Sequence, residues 1–155
     1  MRDNEWLKKQ LDFLLKDYFS NVSLTSPIEI RFGREAKFRF GSVRLVKPRG
    51  VKLLRSLKML KLLKNAVPAK SIITITSMFA AESVPVDVVR YTIAHELCHY
   101  AHGFSSANKR LFKYPHHGGI VNRELKERGA EELIHAFKKW LKVYRKQILT
   151  SRIKM

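Results

Sequence analysis

The stretch ESVPVDVVRYTIAHELCHYAHG, residues 82–103, constrains this chain more than any other. Its apolar side chains recur at helical spacing, Pro85 falls near the first turn and Gly103 at the end, so the pattern predicts one helix. Directly before it, SIITITSMF (71–79) is β-rich and bounded by turn residues, which predicts a strand feeding that helix. Inside the helix, His95, Glu96 and His99 form the spacing HExxH. Residues four apart lie on one helical face, about 6 Å apart in rise, so two imidazoles can converge on one ion. Glu96, one step along, points toward the ion's open side, where a carboxylate can take a proton from water.

A catalytic zinc site takes three protein ligands and keeps one position free. Four residues are candidates for the third. His102 shares a face with His99 but lies about 10 Å in rise from His95, too far for one ion. The extended metzincin pattern is excluded, because it needs Gly at 102 and His at 105, where this chain has His102 and Ser105. Glu124, in VNRELKERG, is the acidic candidate. His116 and His117 precede a Gly-Gly pair, and glycine lets the backbone approach the metal helix without a Cβ clash. The pair is preferred, and spacing alone does not separate its two members.

Elsewhere the periods alternate. NEWLKKQLDFLLKDYF (4–19) places Trp6, Leu7, Leu11, Leu14, Leu15, Tyr18 and Phe19 at helical spacing. IEIRFG and AKFRFGSVRLV alternate like strands and predict a β-hairpin over residues 28–46. RGVKLLRSLKMLKLLKNA (49–66) predicts a basic amphipathic helix. FSSANKRLFKYPHHGG (104–119) reads as a loop, followed by helices over GIVNRELKER and AEELIHAFKKWLKVYRKQIL. The expectation is a small α+β domain spanning residues 1–150, a short antiparallel hairpin packed on the HExxH helix and its flanking helices, with 151–155 a frayed basic tail.

Charge is the second strong signal. The chain has 31 Lys and Arg against 13 Asp and Glu, a net of +18. Residues 36–81 hold 11 basic side chains and no acidic one. Such a surface attracts polyanions. Lys37, Arg39, Arg44, Lys47, Arg49, Lys52, Arg55, Lys58, Lys61 and Lys64 are therefore candidate contacts to nucleic-acid phosphates, single- or double-stranded and independent of sequence. Phe38 and Phe40 lie among them and are candidates for base stacking or for the core. The single cysteine, Cys98, excludes an intrachain disulfide and reads as a small buried residue. The N-terminal residues are charged and no apolar run reaches the length of a membrane span, so the expected compartment is the cytoplasm, in association with the nucleoid where DNA is bound.

TIAHELCHYAH … HHGGIVNREL resembles the SprT-like zinc metallopeptidases of minigluzincin type, the group that includes the Spartan proteases. Their pattern is HExxH, a variable loop, then His-Gly and a short helix with an apolar residue four positions after that histidine. His117-Gly118 fits it, with Val121 in the apolar place, where the family carries a bulky aromatic. The resemblance covers most of residues 5–128. It implies a small zincin fold, one zinc ion per chain on His95, His99 and His117, Glu96 as general base, and cleavage of proteins crosslinked to or associated with DNA. Tyr114, His116 and Arg123 are near enough in sequence to serve as oxyanion donors. Two rival expectations stand beside this one: a general zinc peptidase with no nucleic-acid role, and a non-catalytic nucleic-acid-binding protein with a structural zinc.

Overall fold

SIITI holds three isoleucines spread over both faces, with Ile73 on one and Ile72 on the other, and a strand of that kind is covered on both faces. In the computed structural model, which describes residues 1–47 and 69–154, it becomes the central strand of a three-stranded sheet. The strands are β1 (Ile28–Phe32), β2 (Gly41–Val46) and β3 (Lys70–Ile75), in the order β1-β3-β2. β1 runs parallel to β3, with Ile30 opposite Ile73. β2 runs antiparallel to it, with Val43 opposite the same Ile73. The expected hairpin of residues 28–46 is thus not formed. Both of its segments are strands, but β3 lies between them. Alternation marks each segment as half-buried without naming its partner, whereas the doubly buried β3 requires a neighbour on either side.

Among the described residues, α1 (Asn4–Asp17) and α2 (Val86–Ala101) pack against this sheet, and α3 (Ile120–Glu127) and α4 (Glu131–Ile153) pack against α2. The Asp3 side chain accepts from the Trp6 backbone N–H and caps α1, whose Leu7, Leu11 and Leu14 form the buried stripe. α2 is the axis of the molecule. It touches β2, β3 and the three other helices, and Val88, Val89, Ile93, Ala94, Leu97 and Cys98 are all buried along it. Burial of Val88, Val89, Ile93 and Leu97, at about 1.5–3 kcal/mol each, fixes α2 far more firmly than helix propensity does.

The end of α2 is anchored by polar contacts. The buried Tyr100 hydroxyl donates to the Ser26 carbonyl at 2.6 Å and accepts from the Ser26 N–H at 3.0 Å. Gly103, at φ +80°, then turns the chain away, and a Cβ there would meet the Lys109 carbonyl oxygen at 2.5 Å. α4 continues through Ile153, so the expected fraying at 151–153 is replaced by helix. The basic helix expected over 49–66 lies outside the described residues. No helix of the described residues is long and apolar enough to cross a membrane.

Candidate metal centre

His95 and His99 leave α2 one turn apart, with ring centroids 4.8 Å from each other. A third imidazole comes from the loop before α3. His116 Nε2 lies 3.1 Å from His95 Nε2 and 3.0 Å from His99 Nε2. One nitrogen from each ring falls within 4.8 Å of the other two, and the three residues form a group that can hold a metal ion. Tetrahedral coordination with metal–nitrogen bonds of about 2.0–2.1 Å separates neighbouring ligand atoms by about 3.3 Å, close to the two short separations here. The donors also have the right charge. Burial, then each ring's imidazole neighbours, pushes His95 down to about 3 and His99 down to about 4, so both lone pairs are free at neutral pH.

His117, the ligand implied by the family pattern, is not in this cluster. It is exposed and faces Tyr114, with ring centroids 6.3 Å apart. The chain turns sharply here: Gly118 and Gly119 both take left-handed conformations, at φ +64° and +67°, and α3 starts at Ile120. Adjacent side chains diverge in such a turn, and His116 is the one aimed back at α2. The apolar residue four positions on does not discriminate. Ile120 follows His116 at that distance and packs against the core, just as Val121 does for His117.

The other two candidates pair with each other. His102, buried at the end of α2, meets the Glu124 carboxylate through Nε2. Arg128 donates to the second Glu124 oxygen at 2.8 and 3.0 Å, and to the Tyr18 carbonyl and Asn21 Oδ1 at 2.9 and 2.7 Å. Burial raises the Glu124 carboxyl, but hydrogen bonds from His102 and Arg128 outweigh it and hold the group below the usual carboxylate range. Of the oxyanion candidates besides His116, Tyr114 is exposed, and Arg123 is engaged with the Gly118 carbonyl at 3.1 Å. Cys98 is buried, and burial pushes its thiol up.

Glu96 shares a cleft of about 850 Å³ with the three histidines. It is only 6% exposed, and burial raises its carboxyl to about 7 against the pull of nearby Arg39. β2 crosses directly over it: a Cβ on Gly41 would lie 2.8 Å from Thr92 Cγ2 and 3.0 Å from Glu96 Oε1. Gly41 is therefore the residue that lets the edge strand approach the carboxylate, and sequence reasoning missed it. The alternation of AKFRFGSVRLV contained the signal, since a glycine inside a strand pattern marks a close approach of backbone. The far wall of the cleft, from α4, was missed as well.

The candidate nucleic-acid contacts divide. Lys37 and Arg39 line the mouth of the cleft, while Arg44 and Lys47 are exposed on and just beyond β2. Arg49, Lys52, Arg55, Lys58, Lys61 and Lys64 lie outside the described residues. Phe40 belongs to the interior, stacked on Phe79 at 5.3 Å and edge-on to Phe137, Trp140 and Tyr144. Phe38 is 71% exposed, with the Arg152 guanidinium above its ring. Comparison with protein-family models, with curated proteins and with solved structures finds no match to this chain.

Proposed function

We propose that this protein is a zinc-dependent peptidase. One observation carries the proposal: three imidazoles converge on a point in an open cleft whose one carboxylate, Glu96, is buried and raised to about 7. A structural zinc site is closed by four protein ligands, and a set of three with an adjacent base suits hydrolysis. Zinc, when bound, supplies Lewis acidity toward water and a substrate carbonyl. Glu96 has the residue-level task of accepting a proton and returning it to the leaving amine, and a carboxyl near 7 is poised for both directions at neutral pH. Among the described residues β2 is an edge strand whose Gly41–Val43 segment borders the cleft, so an extended peptide has backbone groups to pair with there.

The second element is nucleic acid. The net charge of +18 and the acid-free run from 36 to 81 support a DNA-binding role and, with the SprT-like resemblance, proteins on DNA as substrates. The test measures zinc content and cleavage of an unstructured protein with and without DNA, for the wild type and for Glu96→Gln. About one zinc per chain, with cleavage that DNA raises and Glu96→Gln abolishes, is the expected result. Cleavage that DNA leaves unchanged removes the nucleic-acid element, and zinc without any cleavage removes the peptidase.

A further inference from the structure

The cleft does not end at the histidines. Phe137, Leu141, Tyr144, Ile148 and Arg152 line it from a single face of α4, and together they span about 22 Å of helix. Phe137 stands at the metal end, stacked on Tyr91 at 4.2 Å, one turn before His95. Arg152 stands at the far end, over Phe38. A chain in extended conformation covers that length in about six or seven residues.

The trough is apolar along its floor and cationic at its lips. Lys37 and Arg39 rise on the β2 side, Arg145 and Arg152 on the α4 side, and all four are exposed. The only acidic residue among the lining residues is Glu96. Building on the peptidase reading above, we infer that the trough is a substrate subsite for a segment combining bulky apolar side chains with carboxylates. The apolar floor accepts the former and the four cations pair with the latter. A polynucleotide fits the four cations but presents flat bases and sugars to a floor of Leu141 and Ile148, whereas an extended peptide directs every second side chain to one face and can seat bulky apolar ones there. On this inference Lys37 and Arg39 serve the substrate, and contacts to nucleic acid fall to other members of the basic set.

The experiment uses zinc-loaded Glu96→Gln protein, which holds peptide without turning it over, and fluorescence anisotropy of labelled octapeptides. Three peptides share a central Phe and Leu and differ in their flanking residues, which are Glu, Ser or Lys. The Glu peptide should bind about tenfold tighter than the Ser peptide, and the Lys peptide more weakly than either. Adding Arg145→Glu and Arg152→Glu, both exposed positions, leaves two positive and two negative side chains on the lips and should close most of the gap between the Glu and Lys peptides. Ile148→Ser should weaken the Phe-Leu peptide several-fold relative to an Ala-Ala version. Equal affinity for all three flanks, or a gap untouched by the double reversal, overturns the inference. So does loss of binding to a single-stranded oligonucleotide in the double variant when the peptide gap stays fixed, because the cations then belong to nucleic acid. Cleavage of these peptides by the wild-type protein is scored separately. Its absence counts against the peptidase reading and leaves the binding order to decide the subsite.

Discussion

Two groups of histidines occupy the last turns of α2, and they differ in what faces them. His95 and His99 face His116 and no hydrogen-bonded carboxylate, so their Nε2 atoms are directed at one another across a space sized for an ion. His102, one turn further, faces Glu124, which Arg128 also engages. Both groups join α2 to the chain around α3, one through the loop before that helix and one through its side. The contrast lies in the partner each histidine meets: for His95 and His99 an imidazole cluster able to hold an ion, for His102 a carboxylate strut. A carboxylate partner takes up its donor, whereas three imidazole nitrogens converging on one point can share an N–H···N bond but leave lone pairs over, which one cation can engage together.

The comparison is broken most directly by removing imidazoles. His99→Ala or His116→Ala should abolish stoichiometric zinc and all hydrolysis, while His117→Ala and His102→Ala leave close to one zinc per chain after dialysis against a weak chelator. Full zinc in the His116 variant, with loss in the His117 variant, would restore the family-pattern ligand and displace the one assigned here. Next in size is Glu96→Gln. Zinc should be retained and turnover should fall by about 10²–10⁴-fold, the usual range for a general base. Turnover within a few-fold of wild type in that variant would take Glu96 out of the mechanism.

The strut responds in stability. Glu124→Ala leaves Arg128 and His102 without their shared acceptor in a mostly buried setting, at a cost of about 2–3 kcal/mol. Urea denaturation with zinc removed reads this directly, and an unchanged midpoint would show that the strut contributes nothing. The two groups also separate along pH in the metal-free protein. His95 and His99 resist protonation when folded, so the unfolded chain binds more protons below about 6.5 and stability falls as pH drops from there toward 4 and 3. Glu96 acts oppositely between 7 and 4.5, one group against two. The lowered carboxyl of Glu124 contributes stability above about 4.5 that is lost below it. Glu124→Gln should therefore remove the carboxylate's share of the loss below 4.5 and leave the histidine decline that begins at 6.5 and runs toward 3.

Much of this was legible in the residues. Helical period, Pro85 and Gly103 defined α2 to within a few residues, and HExxH located two of the three clustered histidines together with the buried carboxyl. The third histidine was narrowed to an adjacent pair, of which the family pattern favoured His117 and the structure brings His116 into the cluster. Sequence spacing does not encode the direction in which a turn built on two left-handed glycines aims a side chain. Strand pairing failed for a related reason. β1 and β2 are neighbours in the chain, yet the β3 between them in space comes from residue 70 onward, and alternation holds no information about partners. The α4 wall of the cleft was hidden because its stripe reads equally well as core packing.

The smallest effect concerns a neutral tie between the same two regions. The Tyr91 hydroxyl, one turn before His95, donates to Asn122 Oδ1 at 2.8 Å and links α2 to the first turn of α3. It lies on the metal side of α3, opposite in purpose to the charged contact at Glu124. Because the pair is partly buried and neutral, Asn122→Ala should cost about 1 kcal/mol, less than half the loss at Glu124. The placement of His116 depends on where α3 begins, so zinc affinity should weaken slightly in step with this loss, by a few-fold. Tyr91→Phe removes the same hydrogen bond from the other side and keeps the ring stacked on Phe137, so its effect should match, and the double variant should add little. A double variant that loses the sum of the two single effects would show that Tyr91 and Asn122 act separately. The charged strut would then be the one polar side-chain link between α2 and α3 among the described residues that this comparison supports.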